Sequence, residues 1–503
     1  MAAAAIVDET ETGSVFRPAM LLMSGRTLAF AATFFIPVVL TRIFDPSQFG
    51  TYKQVFLIQS SVFFIAQLGM ASSLYYFLPL APREAGRYIA NAIAVLGVAG
   101  LACFGTLVMI APRISQWMNN AQIAQYMPWL GAYLFLTMLS APLETVLISR
   151  AKYFWASASY GLSDIARAAV FILAGILSGR LEWLLKGAIL IAVLRVVATL
   201  IYFRKEFGGT LRFDGAALKR QFGYALPFGL AVLVETLQAS LPQYAVSYLY
   251  SPAALAVFAV GCLQVPLVDF AASPTSDVMM VKMQESLAEG RRRAVAGIWR
   301  DTTWKLAVLF FPLVAFLLVS AREVIVSLFT LRYAASVPIF MVWSAMILFS
   351  ILQVDGVLRV FAQTRLILAL NLMRLAIIVG LVQWSLVHLH LLGAALVIVV
   401  ATLAFKVAAM VRIRSLMQVS TAELLPWRRL AFLMSAAMGA AALALIVKMQ
   451  MHGSILQGVA ASGLVFTITY AALVWRFDLL SLDERLALKR LARQAIGLRR
   501  ELA

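Results

Sequence analysis

The sequence predicts an all-α polytopic membrane protein with about fourteen transmembrane helices, in which two six-helix lobes are followed by two extra C-terminal helices. Three observations lead to this prediction: apolar segments of membrane-spanning length, an uneven distribution of Lys and Arg between alternate loops, and an internal repeat. The composition agrees, because 62% of the 503 residues are apolar and 13% are charged, whereas soluble domains carry about 25% charged residues.

A transmembrane helix needs about 20 consecutive, mainly apolar residues. Such windows occur, in chain order, at 20–43, 53–78, 88–112, 128–149, 159–179, 184–203, 222–249, 253–275, 303–320, 337–361, 366–387, 391–411, 430–448 and 455–475. The strict alternation of apolar and polar residues that marks a strand of a membrane barrel does not occur in these windows. Each window is therefore predicted to be a helix.

The orientation of the helices follows from the basic residues, because cytoplasmic loops hold an excess of Lys and Arg. If the N-terminus is inside, the inner segments contain dense basic clusters near 204–220, 291–305, 412–429 and 485–500. The outer loops hold fewer basic residues: Arg42, Lys53, Arg113, Arg180, Lys186, Arg322, Arg332 and Lys448. Both termini are therefore expected in the cytoplasm, and the net charge of +19 is explained by topology rather than by nucleic-acid binding.

Three short segments recur after 206 or 207 residues, which indicates a duplication. "DPSQFGTY" around Pro46 matches "SPAALAVF" around Pro252, "SDIARAAVF" matches "LNLMRLAII", and "KGAIL" matches "LGAAL". Six spans per copy is an even number, so the two copies should be related by an axis along the membrane normal. The predicted division is a cytoplasmic segment 1–19, an N-lobe 20–205, a cytoplasmic linker 206–221, a C-lobe 222–412, two added helices in 430–475 and a basic cytoplasmic tail 476–503.

Charged side chains within the apolar windows are candidates for function, since each costs about 2.5–3.5 kcal/mol in a membrane. They are Arg26, Glu144, Asp164, Arg167, Arg195, Glu235, Asp269, Asp355, Arg359, Arg374 and Lys406. The pairs Asp164 with Arg167 and Asp355 with Arg359 are three and four residues apart, so they can neutralise each other on one helix face. The remaining excess of cations suits an anionic cargo, because guanidinium groups hold phosphate oxygens in a bidentate manner.

Several kinds of chemistry are not predicted. The sequence contains no Gly-x-x-x-x-Gly-Lys-Ser/Thr motif, which argues against an ATP-hydrolysing pump. His388, His390 and His452 are predicted at short outer turns, and neither an HExxH motif nor a cysteine cluster accompanies them. No metal, cofactor or catalytic site is therefore expected.

The chain resembles the polysaccharide flippases of the multidrug/oligosaccharidyl-lipid/polysaccharide exporter (MOP) superfamily. The resemblance lies in "GRTLAFAATFFIPVVLTRIFDPSQFGTYKQ", "LGMASSLYYFLP", "FGYALPFGL" and "LLGAALVIVV". It implies two lobes that form a V around a central cavity and a location in the bacterial inner membrane. It also implies export of undecaprenyl-diphosphate-linked oligosaccharide by alternating access, in contact with membrane lipids and with H⁺ or Na⁺ as a possible coupling ion.

The resemblance also bears on the cargo. Flippases for lipid II have an arginine at the position of Arg26 and a second arginine where this chain has Ala32. The missing arginine favours an oligosaccharide lipid for O-antigen lipopolysaccharide or exopolysaccharide over lipid II.

The predicted site combines arginines with polar side chains. Arg26, Arg167, Arg374 and Arg359 are candidates to bind the diphosphate, and Glu235, Gln238 and Gln264 are candidates to bind sugar hydroxyls or a cation. Arg374 is the centre of this hypothesis, because Asn371 stands where the first copy of the repeat has Asp164. Two alternatives stay open: a cation-coupled multidrug exporter of the same superfamily, and a membrane glycosyl polymerase, which the short outer loops disfavour.

Overall fold

A computed structural model describes residues 16–450 and 455–477, and every regular element within these ranges is helical. The described helices fall into two compact units. The first consists of Met1–Ala259 with Ile378–Leu391, and the second of Val260–Ile377 with Leu392–Ala503. The lobe boundaries expected from the repeat stay a prediction.

The helices of the first unit are mostly long and apolar. They are α1 Phe16–Ile43, α2 Pro46–Ala66, α3 Met70–Leu80, α4 Ala85–Trp117, α5 Ile123–Ser140, α6 Pro142–Ser149, α7 Tyr153–Ser178, α8 Leu181–Phe207, α9 Gly215–Leu249 and most of α10 Pro252–Gly261. Helix α1 packs along α7, and α4 packs along α5. Buried apolar side chains of α3, α4, α6 and α8 form a core at one end of the unit.

The helices of the second unit include several shorter pieces. They are α11 Pro266–Ala288, α12 Arg292–Val319, α13 Ala321–Phe329, α14 Val337–Ala345, α15 Val354–Val360, α16 Thr364–Met417, α17 Thr421–Leu424, α18 Trp427–Gln450 and α19 Ile455–Arg476. The middle of α16 belongs to the first unit. Helix α12 packs against α11 and α18, and α18 packs along α19.

Eleven of the described helical segments are long and apolar enough to cross a membrane, or twelve if the bent pair α10 and α11 is one span. The protein is therefore a multi-pass membrane protein. The number fourteen stays a prediction, because it requires α1 to cross once and α16 to cross twice. Helix α16 has 54 residues and a non-helical backbone at His390, with φ 51° and ψ −145°, and its length of about 80 Å exceeds two bilayer cores.

The segment around Pro46 corrects one predicted boundary. The second span was expected to begin at 53, after a turn, but α2 begins at Pro46 itself. The Asp45 carboxylate accepts the backbone N–H groups of Ser47 at 2.8 Å and Gln48 at 2.9 Å, and the Gln48 side chain accepts the Asp45 N–H at 3.3 Å. This is a capping box followed by proline at the first helical position, which starts a helix.

The two copies of the Pro46 segment contact each other within the first unit. A Cβ atom placed on Gly50 would lie 1.8 Å from the carbonyl oxygen of Pro252. Glycine is therefore the residue that allows the backbones of α2 and α10 to approach this closely. The contact agrees with a repeat whose copies begin on the same side of the membrane.

Hydrogen bonds and an ion pair join the start of α9 to α4. The Asn91 side chain donates to the Asp214 carbonyl at 2.9 Å and accepts the Asp214 N–H at 3.0 Å. The Asp214 carboxylate caps α9 through the N–H groups of Ala216 and Ala217, and Arg87 donates to it at 3.2 Å. These N–H groups, that of Ala217 foremost, and then the charge of Arg87 hold the pKa of Asp214 below its ordinary value.

Candidate functional site

A cavity of about 620 Å³ with a mixed polar and apolar lining lies between α2 and α9 in the first unit. Its apolar lining includes Phe56, Phe64 and Phe228. Its polar lining consists of Lys53, Ser60, Gln67, Ser72, Glu235, Thr236, Ser240 and Gln243. A cavity of this size falls in the range of about 300–1,000 Å³ that is usual for small-molecule sites.

Glycines bring α9 close to the break between α2 and α3 at one end of the cavity. Leu68 and Gly69 have φ angles of 48° and 72° in this break. A Cβ atom on Gly69 would lie 2.5 Å from the Ala225 oxygen, and one on Gly229 would lie 2.8 Å from the Leu68 carbonyl carbon. Farther along α9, Ser61 donates to Ser240 at 3.0 Å. The two helices are therefore in contact on both sides of the cavity.

The cavity presents one cation, one anion and several hydrogen-bonding groups. Glu235 is exposed in it, and Lys53 lies two turns into α2 with its Nζ 5.4 Å from the centre of the Phe49 ring. Amide and hydroxyl side chains both donate and accept hydrogen bonds, as sugar hydroxyls do. The lining therefore suits a polar, uncharged group better than a diphosphate.

Arg167 of α7 is held by neighbouring polar side chains in the first unit. Its guanidinium lies 2.7 Å from the Asp164 carboxylate, as predicted for this pair, and it also interacts with Tyr133 of α5. Arg167 is thus partly neutralised on its own helix face.

A second group of charges lies in the second unit, where the helix is interrupted before α15. Lys406 donates to the Leu352 carbonyl at 2.8 Å and lies 3.9 Å from the Asp355 carboxylate. Arg374 is close enough to Lys406 for their charges to repel, and Arg359 is exposed one turn after Asp355. We call Arg359, Arg374, Lys406 and Asp355 the cationic cluster, because Lys406 lies near both Asp355 and Arg374 and Arg359 follows Asp355 on the same short helix.

The cationic cluster corrects one prediction about pairing. By its spacing Asp355 could neutralise Arg359, four residues later, but in the structure it lies 3.9 Å from Lys406 instead. Carbonyl groups freed by the break at Leu352 attract the Lys406 ammonium, which brings this cation to Asp355. Asn371, the counterpart of Asp164, donates to the Ile367 carbonyl of its own helix at 2.9 Å.

The other predicted residues lie at separate places. Gln238 is buried on α9, one turn after Glu235. Gln264 is exposed in the bend between α10 and α11. Arg26 belongs to α1, but its side chain lies outside the described residues, as does His452. In the part of the chain that the structure describes, no group of three or more His, Cys, Asp or Glu side chains is placed to hold a metal ion.

Sequence reasoning missed Lys53 as a cavity residue, because it placed this lysine in an outer loop. The signal was present in the sequence, since Asp45, Pro46 and Gln48 form the start of a helix. A helix that begins at Pro46 carries Lys53 about 10 Å into the span. Gln67 and Gln243 were missed because uncharged amides within apolar windows do not stand out by charge.

Comparisons with known proteins identify the fold and the family. The structure of lipid II flippase MurJ in an inward closed conformation matches with a TM-score of 0.71 and 11% identity, over 92% of this chain and 99% of that chain. An inward-facing multidrug resistance MATE family transporter of the MOP superfamily matches with a TM-score of 0.64 and 12% identity, over 80% of this chain and 98% of that chain.

A third structure, a MOP superfamily transporter from Pyrococcus furiosus, matches with a TM-score of 0.54 and 14% identity, over 80% of this chain and 94% of that chain. At these identities the matches show the fold, which these transporters share. A comparison with curated protein sequences finds no significant match. The family model described as polysaccharide biosynthesis protein matches residues 39–338, which is more than half of the sequence, and the chain therefore belongs to this family.

Proposed function

We propose that the protein flips undecaprenyl-diphosphate-linked oligosaccharide across the bacterial inner membrane, with both termini in the cytoplasm, for the synthesis of a surface polysaccharide. The observation that carries the proposal is the cationic cluster, in which Arg359, Arg374 and Lys406 outnumber Asp355 within apolar segments. An excess of cations in a membrane is stable where an anion or water meets it. A lipid diphosphate supplies both the anion and the apolar tail that such a protein has to accommodate.

The cavity between α2 and α9 in the first unit supports a cargo that carries sugars. Its amide and hydroxyl groups match the hydroxyl groups of sugars, and Lys53 and Glu235 balance each other in charge. The structural match with a protein that is a flippase for lipid II supports a lipid-linked cargo. Movement of the cargo by alternating access fits this fold, and H⁺ or Na⁺ is the proposed coupling ion.

The proposal is tested in a strain that lacks the gene. Lipid-linked oligosaccharide should accumulate on the cytoplasmic side, and surface polysaccharide should fall, since synthesis continues without export. Both effects should be reversed by the wild-type gene. A strain with unchanged surface polysaccharide and no accumulated lipid-linked precursor would contradict the proposal.

The role of the cationic cluster is tested at Arg374. Arg374→Ala removes a charged hydrogen-bonding group, and it should lower export about tenfold or more while the amount of protein stays normal. Arg374→Lys should restore export in part, because lysine keeps the charge but lacks the planar fork. The matched control is Arg365→Ala, which removes an exposed arginine from the beginning of α16. Full export by Arg374→Ala would refute the role of this residue.

A cation-coupled multidrug exporter is the second candidate, and the exposed carboxylate of Glu235 favours it. Such an exporter would confer drug resistance when expressed in a sensitive host, and Glu235→Gln would abolish the resistance. If the protein is a flippase, its expression should not change drug resistance, and Glu235→Gln should instead reduce polysaccharide export. The two measurements on one set of variants therefore separate the candidates.

A further inference from the structure

A second polar pocket, of about 440 Å³, lies at the end of the first unit where α2, α5 and α8 begin. It is separate from the cavity between α2 and α9. One wall carries the aromatic rings of Tyr126 and Trp129 from α5. Amide groups of Gln48, Gln122 and Gln125 face the same space, which makes the lining far more polar than a lipid-facing groove.

The wall beside Trp129 has ionic and aromatic contacts. The Lys186 ammonium lies 5.1 Å from the centre of the Trp129 ring and 4.7 Å from that of Trp183. The same ammonium lies 2.6 Å from the Glu182 carboxylate, which lines the pocket. A ring and a carboxylate that already have partners lose less freedom when a ligand binds than side chains without any contact.

The floor of the pocket rests on a buried polar network. Asn120, which is 8% exposed, donates to the Thr51 hydroxyl at 2.8 Å and to the Gln54 side chain at 2.7 Å. The Asn120 side chain also accepts the Gln122 N–H at 3.0 Å. Gln54 in turn donates to the Met118 carbonyl at 2.8 Å. A fully bonded network of this kind orders the backbone around it, and it therefore positions Gln122 and Thr51 before any ligand arrives.

The composition of the pocket identifies the class of ligand. The flat face of a sugar ring is made of C–H groups and packs on an aromatic ring, whereas its edge carries hydroxyl groups that both donate and accept. The pocket offers both surfaces. Arg180 brings one positive charge, but the carboxylate of Glu182 lines the same space and would repel a phosphate.

We propose that this pocket is a glycan-binding site that takes a neutral pyranose unit, with Trp129 as the stacking platform and the amides of Gln48, Gln122 and Gln125 as hydroxyl partners. The proposal goes beyond the export of a lipid-linked cargo and does not depend on it, because binding of a free sugar is measured without transport. The predicted topology places the first residues of α2, α5 and α8 on the outer side of the membrane. The site would therefore bind a glycan on that side.

The test measures binding of soluble methyl glycosides of glucose, galactose, mannose and N-acetylglucosamine to the full chain in nanodiscs, by saturation-transfer NMR. Wild-type protein should saturate with at least one glycoside. Trp129→Ala should weaken the binding about tenfold, and Gln125→Ala should weaken it about fivefold. Gln125 is exposed, so its variant tests the proposal even if Trp129→Ala fails to fold.

Two matched controls and a competitor complete the design. Trp117→Ala and Gln116→Ala remove exposed side chains at the end of α4, outside the pocket, and should bind as wild type does. Soluble glycerophosphoethanolamine, the headgroup of a membrane lipid, should not compete with the sugar. The proposal is overturned if no glycoside binds, if the Gln125 and Gln116 variants behave alike, or if the headgroup displaces the sugar.

Discussion

Glu144 and Arg195 form a buried ion pair in the first unit, between α6 and α8. The Glu144 carboxylate accepts hydrogen bonds from the Arg195 guanidinium and from the Ser159 hydroxyl, both at 2.6 Å. The Glu144 side chain is 5% exposed. Both charged residues were noted in the sequence as single intramembrane charges. Their pairing across two helices was not predictable, because the residues are 51 positions apart.

Removal of one member of this pair should be far more damaging than removal of both. Glu144→Leu leaves the Arg195 charge without its partner, and the expected cost is about 3 kcal/mol, at the lower end for buried pairs because Arg195 is 25% exposed. The double variant Glu144→Leu/Arg195→Leu should recover most of that loss. Thermal unfolding in detergent checks both, and a double variant no more stable than Glu144→Leu would contradict this account.

Gly50 allows a close approach between α2 and α10. Gly50→Ala should destabilise the first unit, because the new methyl group meets the rigid backbone of Pro252. Gly105→Ala is the matched control, since a methyl group added to Gly105 on α4 would have no neighbouring atom within 4 Å and alanine is favoured in a helix by about 0.5–1 kcal/mol. The melting temperature should fall for the first variant and rise or stay constant for the second. Equal melting temperatures would show that α2 and α10 separate readily.

At the scale of single elements, the stability of α9 depends on its N-terminal cap, Asp214. The contacts of Asp214 with Asn91 and Arg87 join this helix to α4. The carboxylate has to be ionised to attract Arg87 and to accept both cap N–H groups strongly. The stability that it contributes is therefore a function of pH.

The sign of this dependence follows from the lowered pKa of Asp214. A depressed folded-state pKa gives a contribution that is complete above the ordinary value of 3.8 and is lost as pH falls through the folded value. Asp214→Asn keeps a capping oxygen without the charge, so its melting temperature should lie below that of wild type at neutral pH. The difference should shrink toward zero in acid, whereas Asp214→Ala should stay below wild type. A difference that is constant with pH would contradict the role of the charge.

The sequence predicted the spans better than it predicted where they break. Apolar length identified 53–78, 128–149 and 253–275 as single spans, and Pro46–Leu80 and Ile123–Ser149 are each one segment of membrane-crossing length in the structure. Within the three windows the helix is nevertheless broken, at Gly69, Pro142 and Pro266. Hydropathy averages over a window and does not register a local bend. Hydropathy also ended one span at 112, whereas α4 continues to Trp117. The polar residues at the end of this helix have the hydropathy of a loop.

Among the charged residues of the candidate site, one pairing could be predicted from the sequence and another could not. Asp164 with Arg167 follows from helical spacing alone. Asp355 with Lys406 depends on two segments that meet across the fold, and so does the pocket around Trp129. Side chains that converge from separate helices give no periodic signal in the chain.

At the scale of the whole molecule, the predicted topology is checked by labelling. Cys103 and Cys262 are first replaced with alanine, so that Ser251→Cys and Arg291→Cys are tested one at a time in whole cells. A membrane-impermeant maleimide should reach Ser251→Cys from outside and Arg291→Cys after the membrane is opened, because basic loops stay in the cytoplasm. Both positions are exposed. The reverse pattern would invert the orientation of every span.

The break in α16 at His390, where this helix is predicted to turn back across the membrane, has a consequence for how the chain enters the membrane during synthesis. The Tyr250 hydroxyl donates to the Leu386 carbonyl at 2.7 Å beside this turn, which has no lysine or arginine. A connection so short and uncharged carries no orienting signal of its own. The two halves of α16 should therefore insert together as a helical hairpin, oriented by Arg365 before it and by Arg412 and Arg414 after it.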